Sequence, residues 1–169
     1  MFNNEFWVNK KVFITGHTGF KGSWISIWLS SIGAHVKGYS LEPLSKPNLF
    51  ELADLESILE SEINDICDYE KLSKSILDFD PDILIHMAAQ PLVRKSYRDP
   101  LETFNTNVIG TANVLEVAKH CKNVKAIINV TTDKCYENKE LANSFKEDDP
   151  LGGHDPYSAS KACAELVSS

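Results

Sequence analysis

The chain has no surplus of positive charge. Its 17 lysines and arginines stand against 24 aspartates and glutamates, a formal net charge of −7. Nucleic acid and anionic membrane surfaces are therefore not expected partners, although a local basic pocket for phosphates is compatible with that balance. No apolar run approaches the roughly 20 residues that cross a bilayer. The start, Met1-Phe2-Asn3-Asn4-Glu5, lacks both the basic opening and the apolar stretch of an export signal. Cysteine is sparse: Cys67, Cys121, Cys135 and Cys163 are scattered, and no pair has metal-ligand spacing. The expectation is free thiols in a reducing cytoplasm, and no metal site. There is no internal repeat and no low-complexity segment. A hydrophobic content of 43% and a charged content of 24% over 169 residues fit one globular domain.

Strand and helix signals alternate instead. Val12 to Thr15 is a short β-rich apolar run that ends in glycines. Phe20 to Ile32 carries Trp24, Ile25, Trp28 and Leu29 at helical spacing, and Gly33 ends that helix. Further strands are expected at 35–39, 61–66, 83–86 and 125–130. Further helices are expected at 69–79, from Pro100 to about Cys121, and from Tyr157 onward. Residues 40–56 read as a loop with one short helix, and 131–156 as a long polar loop. The alternation predicts an α/β fold of the Rossmann type, a doubly wound parallel sheet whose strand ends face the ligand.

Two motifs carry chemistry. In Gly16-His17-Thr18-Gly19-Phe20-Lys21-Gly22 the glycines stand three apart between strand and helix. Their missing side chains let the backbone approach a pyrophosphate, and the helix that follows aims its free N–H groups at the anion. Three glycines could also make a plain strand–helix turn. The ribose-binding carboxylate usual at the end of the second strand is replaced by Ser40. Lys46 nearby reads as a solvated loop residue. Asp65-Ile66 could hold an adenine ring, or Asp65 could simply cap a helix. Ala88 and Ala89, in His86-Met87-Ala88-Ala89-Gln90, leave room for a cofactor against the backbone. His86 reads as a packed core residue. Asn107 could bond a cofactor ribose or the strand-end backbone.

The second motif is Tyr157-x-x-x-Lys161, one helical turn apart. An ammonium beside a phenol lowers its pKa from about 10 and can make it a base. Thr131-Thr132-Asp133-Lys134 closes the fifth strand, where a hydroxyl could hold the substrate oxygen that Tyr157 deprotonates.

Together these residues resemble the extended short-chain dehydrogenase/reductase family, over essentially the whole chain. Gly16-x-x-Gly19-x-x-Gly22, Tyr157-x-x-x-Lys161 and Asn107-Val108-Ile109-Gly110-Thr111 match its pattern. Within it, the likeness is closest to nucleotide-sugar 4,6-dehydratases that act on CDP-glucose. It rests there on residues 16–22, on His86 to Arg94, and on Thr132-Asp133-Lys134-Cys135-Tyr136-Glu137-Asn138. In related dTDP-glucose dehydratases position 134 is normally glutamate, and family epimerases lack the Asp133-Lys134 pair.

The resemblance implies NAD as cofactor and a nucleotide-sugar substrate. It implies Tyr157 as base, Thr132 as its partner at the sugar hydroxyl, and Lys161 as the cation that holds both tyrosine and nicotinamide ribose. Asp133 becomes the acid at the 6-hydroxyl. Lys134 stands where the C5 base usually is, either as a neutral amine or as a charge-binding group. Gln90 falls with the cofactor site. The family forms homodimers through the helices at 100–121 and 157 onward. Its members run to roughly twice this length, so residues 1–169 are expected to be an incomplete NAD(P)-binding Rossmann domain, truncated before the substrate-binding lobe. An epimerase or 4-ketoreductase on the same fold, and a non-catalytic dinucleotide-binding module, are the competing readings.

Overall fold

The computed structural model describes residues 4–137 and 144–169. Asn138 of the strand-end motif and the first three residues of the chain lie outside them. The described chain forms two compact units, Met1–Ala88 with Asn113–Asn129, and Ala89–Ala112 with Val130–Ser169.

The first unit holds the sheet. Five strands, β1 (Lys11–Thr15), β2 (His35–Ser40), β3 (Glu60–Ile63), β4 (Ile83–His86) and β5 (Ala126–Asn129), lie in the order β3-β2-β1-β4-β5. All four pairings are parallel. The chain winds outward in both directions from β1, so the switch point falls between β1 and β4, where α/β sheets bind ligands. The central strands bury both faces, as parallel strands do: every residue of β4 is buried, and so are the last four of β1. Phe13, Tyr39, Leu72, Ile76, Leu84 and Val114 lie at the centre of the core.

Helix α1 (Phe20–Ser31) packs differently from its sequence pattern. Its buried residues are Gly22, Ser23, Ser26 and Leu29, while Trp24 is 54% exposed. The cause lies at its start. A Cβ on Gly22 would sit 2.0 Å from the Gly16 carbonyl oxygen, so the helix meets the preceding loop with no room for side chains. The small residues then continue along the inner face. A short helix, α2 (Leu49–Leu52), follows. Helix α3 (Tyr69–Phe79) has the expected bounds, with Asp68 as N-cap, and buries Leu72, Ile76 and Phe79. Strand β3 ends earlier than the sequence suggests, because Asp65 turns the chain by accepting the Cys67 and Asp68 amides at its side chain and carbonyl.

In the second unit α4 (Val93–Arg98) and α5 (Pro100–Phe104) lead into a π-helical turn at Asn105–Ile109; α6 (Gly110–Ala118) follows, its residues from Asn113 on belonging to the first unit. The long helix expected from Pro100 is therefore helical throughout to Ala118, with one π-helical turn around Asn107. The segment after Val130 makes one 3-10 turn, Asp133–Cys135, and folds back through a bridge between Tyr136 and Leu151. Helix α7 (Pro156–Ser168) opens on Pro156 with Asp155 as N-cap.

Candidate active site

The glycine loop of the first unit is built by close backbone contact. Gly16 has φ +82°, and a Cβ there would lie 2.8 Å from the Ala88 amide nitrogen. Thr15, fully buried one residue earlier, holds that approach in place. Its hydroxyl accepts the Met87 and Ala88 amides, each at 3.1 Å, and gives its own proton to His86 Nδ1 at 2.6 Å. His86 is thus a positioned core residue, with its tautomer set by Thr15. Helix α1 starts at Gly19 with no side-chain cap and no acid in its first turn, whereas α3 and α7 carry Asp68 and Asp155 there. The free N–H groups and the exposed Lys21 suit a bound anion. Phe20, beside Lys21, is largely exposed.

The other loop side chains turn inward. His17 is fully buried, with its ring against Gly38, edge-on to Phe50, and its Nε2 at 2.8 Å from Ser61 Oγ. Burial lowers its pKa to about 4. Only its backbone is left to face a ligand. The Thr18 hydroxyl donates to the Leu41 carbonyl at 2.8 Å, so the Ser40 hydroxyl, also at 2.8 Å, donates to Thr18. Ser40 at the end of β2 is therefore left with lone pairs only. Ile66, expected against an adenine ring, is 3% exposed and belongs to the core. Asp65 serves the turn after β3.

In the second unit α7 carries the Tyr–Lys pair. The Tyr157 amide bonds Ser96 Oγ at 3.1 Å. Burial raises the Tyr157 phenol, a hydrogen bond with Thr132 opposes that, and Asp133 and Asp155 push it further up. Lys161, 4% exposed, donates to the Val130 carbonyl at 3.2 Å. Burial lowers its pKa to about 8, against the opposing charge of Glu165. Thr132 caps the turn that follows it: its hydroxyl accepts the Lys134 amide and donates to Asp133 Oδ1 at 3.1 Å. Asp133 and Lys134 are exposed. The structure therefore brings Thr132, Asp133 and Tyr157 together.

Asn107 takes the strand-end role. Its side chain accepts the Gln90 amide at 2.8 Å and donates to the Gln90 carbonyl and to Ser160 Oγ at 3.2 and 2.8 Å. The Gln90 side chain is in turn held by Leu92 and Thr103. These bonds use both N–H donors of Asn107 and one of the two lone pairs of its Oδ1, and serve the strand-end backbone. Ala89 is half-buried beside Gln90. Sequence reasoning missed Thr15 and Ser160, which look like filler, and Glu165. The one available signal for Glu165 was its place one turn beyond Lys161.

Comparison with known proteins shows the family. The family model described as GDP-mannose 4,6 dehydratase matches residues 13–169, and the chain belongs to that family, within the extended short-chain dehydrogenase/reductases. CDP-glucose 4,6-dehydratase of Salmonella typhimurium is 56% identical over the whole chain, which covers 47% of that protein. Among solved structures, a dTDP-glucose 4,6-dehydratase double mutant from Streptomyces venezuelae with NAD bound aligns at TM-score 0.80 and 27% identity. It is matched over 92% of this chain and 49% of its own. The Bordetella bronchiseptica enzyme WbmH in complex with NAD+ aligns at TM-score 0.76 and 28% identity, over 94% and 52%. The chain thus spans about half the length of the relatives it matches.

Proposed function

We propose that this chain is the cofactor-binding and proton-transfer part of a CDP-glucose 4,6-dehydratase. The observation that carries the reading is the Thr132-Asp133-Lys134 turn set against Tyr157 on α7. The 56% identity to a CDP-glucose 4,6-dehydratase supports the choice of nucleotide.

The glycine loop, the uncapped start of α1 and Lys21 would hold the pyrophosphate of NAD. Ser40 would meet its adenosine ribose and Lys161 its nicotinamide ribose. A bound NAD would supply a reversible hydride acceptor beside the sugar, which would make the cycle redox-neutral. Tyr157 removes the proton of the 4-hydroxyl, which Thr132 orients. The resulting ketone acidifies C5–H. Asp133 protonates the departing 6-hydroxyl, and water leaves. A base role for Lys134 requires a neutral amine. Its exposed position suits a charge-binding role better, with another group or water taking the C5 proton. We place the whole protein in the cytoplasm as a homodimer. Exposed Leu101, Ile109 and Leu166 on the helices of the second unit support the dimer.

The test is product analysis on the full-length protein. CDP-glucose should yield a 4-keto-6-deoxy sugar without net NADH. Stoichiometric NADH, or an epimerised product from UDP-glucose, would contradict the reading. Tyr157→Phe keeps the ring and loses the ionisable oxygen. It should leave NAD+ affinity nearly intact and cut turnover by roughly 10³-fold or more, and retention of a tenth of the rate would remove Tyr157 as base.

A further inference from the structure

The candidate catalytic triplet is held between two anchors, and both close on one atom. The Thr131 hydroxyl donates to Oε1 of Glu165. The Cys135 thiol, itself buried, meets the same oxygen at 3.9 Å. Thr132, Asp133 and Lys134 lie between these two residues, in the 3-10 turn that Thr132 caps. One turn earlier on α7, Lys161 grips the carbonyl of Val130. Two side chains of α7 thus seize the chain just before the triplet, and one of them seizes it again just after.

We propose that Glu165 is a positioning residue, whose carboxylate oxygen brackets Thr132-Asp133-Lys134 and keeps the triplet in register with Tyr157 on the same helix. The proposal rests on the preceding reading that these residues carry the reaction. A hydroxyl-to-carboxylate bond is charge-assisted and a thiol is a weak donor, so Thr131 supplies most of the hold. The hold matters because Asp133 and Lys134 are exposed and the turn is only three residues long. An error of about 1 Å in placing an acid or an orienting hydroxyl can cost on the order of 100-fold in rate.

The test uses the full-length protein with Glu165→Ala, Glu165→Gln and Thr131→Val. Glu165→Ala should lower kcat about 100-fold, with KM for CDP-glucose and Kd for NAD+ within roughly threefold of wild type. Glu165→Gln keeps an oxygen that accepts both donors and should restore kcat to within roughly fivefold of wild type. Thr131→Val removes the main donor from the other side and should reproduce the alanine defect without altering α7, which also decides the matter if Glu165→Ala fails to fold. Amide exchange at Lys134 and Cys135 should quicken in Glu165→Ala and Thr131→Val and stay slow in Glu165→Gln. A kcat within twofold of wild type in Glu165→Ala overturns the proposal. So does a loss that Gln fails to rescue, which would assign the effect to charge beside Lys161. If the wild-type protein shows no dehydratase turnover, the functional reading fails. Exchange then judges the bracket alone, and equal exchange in wild type and Glu165→Ala removes it.

Discussion

His17 sits in the glycine loop, yet its imidazole is turned inward and buried against Gly38. Its ordinary pKa of 6.5 falls to about 4 because burial penalises the charged ring. Between those values the unfolded chain binds more protons than the folded one, so stability rises with pH there. The contribution is complete above about 6.5 and is lost as pH falls through about 4, a loss of roughly 3 kcal/mol. Urea unfolding at pH 7 and at about pH 4.5 should show His17→Asn losing roughly 2 kcal/mol less than wild type between the two. Equal losses would mean that His17 does not titrate this way. Ser40 makes a second residue-scale case. Its proton is committed to Thr18, so it offers only lone pairs, which suit a ribose hydroxyl and not a phosphate. NAD+ should therefore be preferred over NADP+. Ser40→Asp should tighten NAD+ through charge-assisted bonds worth about 1.5–3 kcal/mol and weaken NADP+ by repulsion. Calorimetry showing neither change would separate this strand end from the ribose.

The strand ends depend on Thr15, which ties β1 to the chain leaving β4. Thr15→Val would remove the hydroxyl from the half-buried Met87 and Ala88 amides and from His86 Nδ1, while Met87 keeps the Thr15 carbonyl at 3.1 Å. An unsatisfied buried group costs about 1–3 kcal/mol, so the variant should lose roughly 1 kcal/mol or more in denaturant unfolding. Thr15→Ser, which keeps the oxygen, should lose less than about half of that. A valine variant as stable as wild type would show that the amides find other partners. At this scale the sequence was readable where period and caps agree. Strand β4 and helix α3 have the bounds that their apolar spacing implied, and the short helix in 40–56 is α2. It failed where a tertiary contact overrode the local pattern. The tryptophans of α1 look like a core face, but Gly22 and the serines take that place because the glycine loop draws the helix in. The helix from Pro100 runs on to Ala118 as expected, but with a π-helical turn at Asn105–Ile109, where the Asn107 side chain bonds the Gln90 backbone. The candidate residues Gly16, Tyr157 and Lys161 stand out in the sequence for the same reason as α3, since they belong to short motifs set by local geometry. Glu165 was not, because its partners lie 30 and 34 residues away.

On the scale of the molecule, the sheet ends in a strand that its own surroundings leave uncovered. Parallel strands are normally buried on both faces. In β5 the first three residues are exposed, with Ile127 40% and Ile128 46% accessible, and these two point to opposite faces. Among the described residues β5 pairs only with β4, so no strand lies along its other edge. An edge of this kind, apolar on both faces and without a lysine or proline in it, is a template for pairing with another chain. The net charge of −7 opposes such pairing by repulsion. That repulsion reaches only about 8 Å at an ionic strength near 0.15 M and about 3 Å near 1 M, whereas strand pairing acts at contact. The contact term should therefore win once salt is raised. The 169-residue chain should self-associate in sedimentation experiments, with the associated fraction growing from low to high salt. Ile128→Lys places a charge on the edge strand and should return the chain to monomer at moderate salt without lowering its melting temperature by more than a few degrees. A chain that stays monomeric at all salt concentrations, or an associated form that Ile128→Lys leaves untouched, would show that β5 is not the sticking edge.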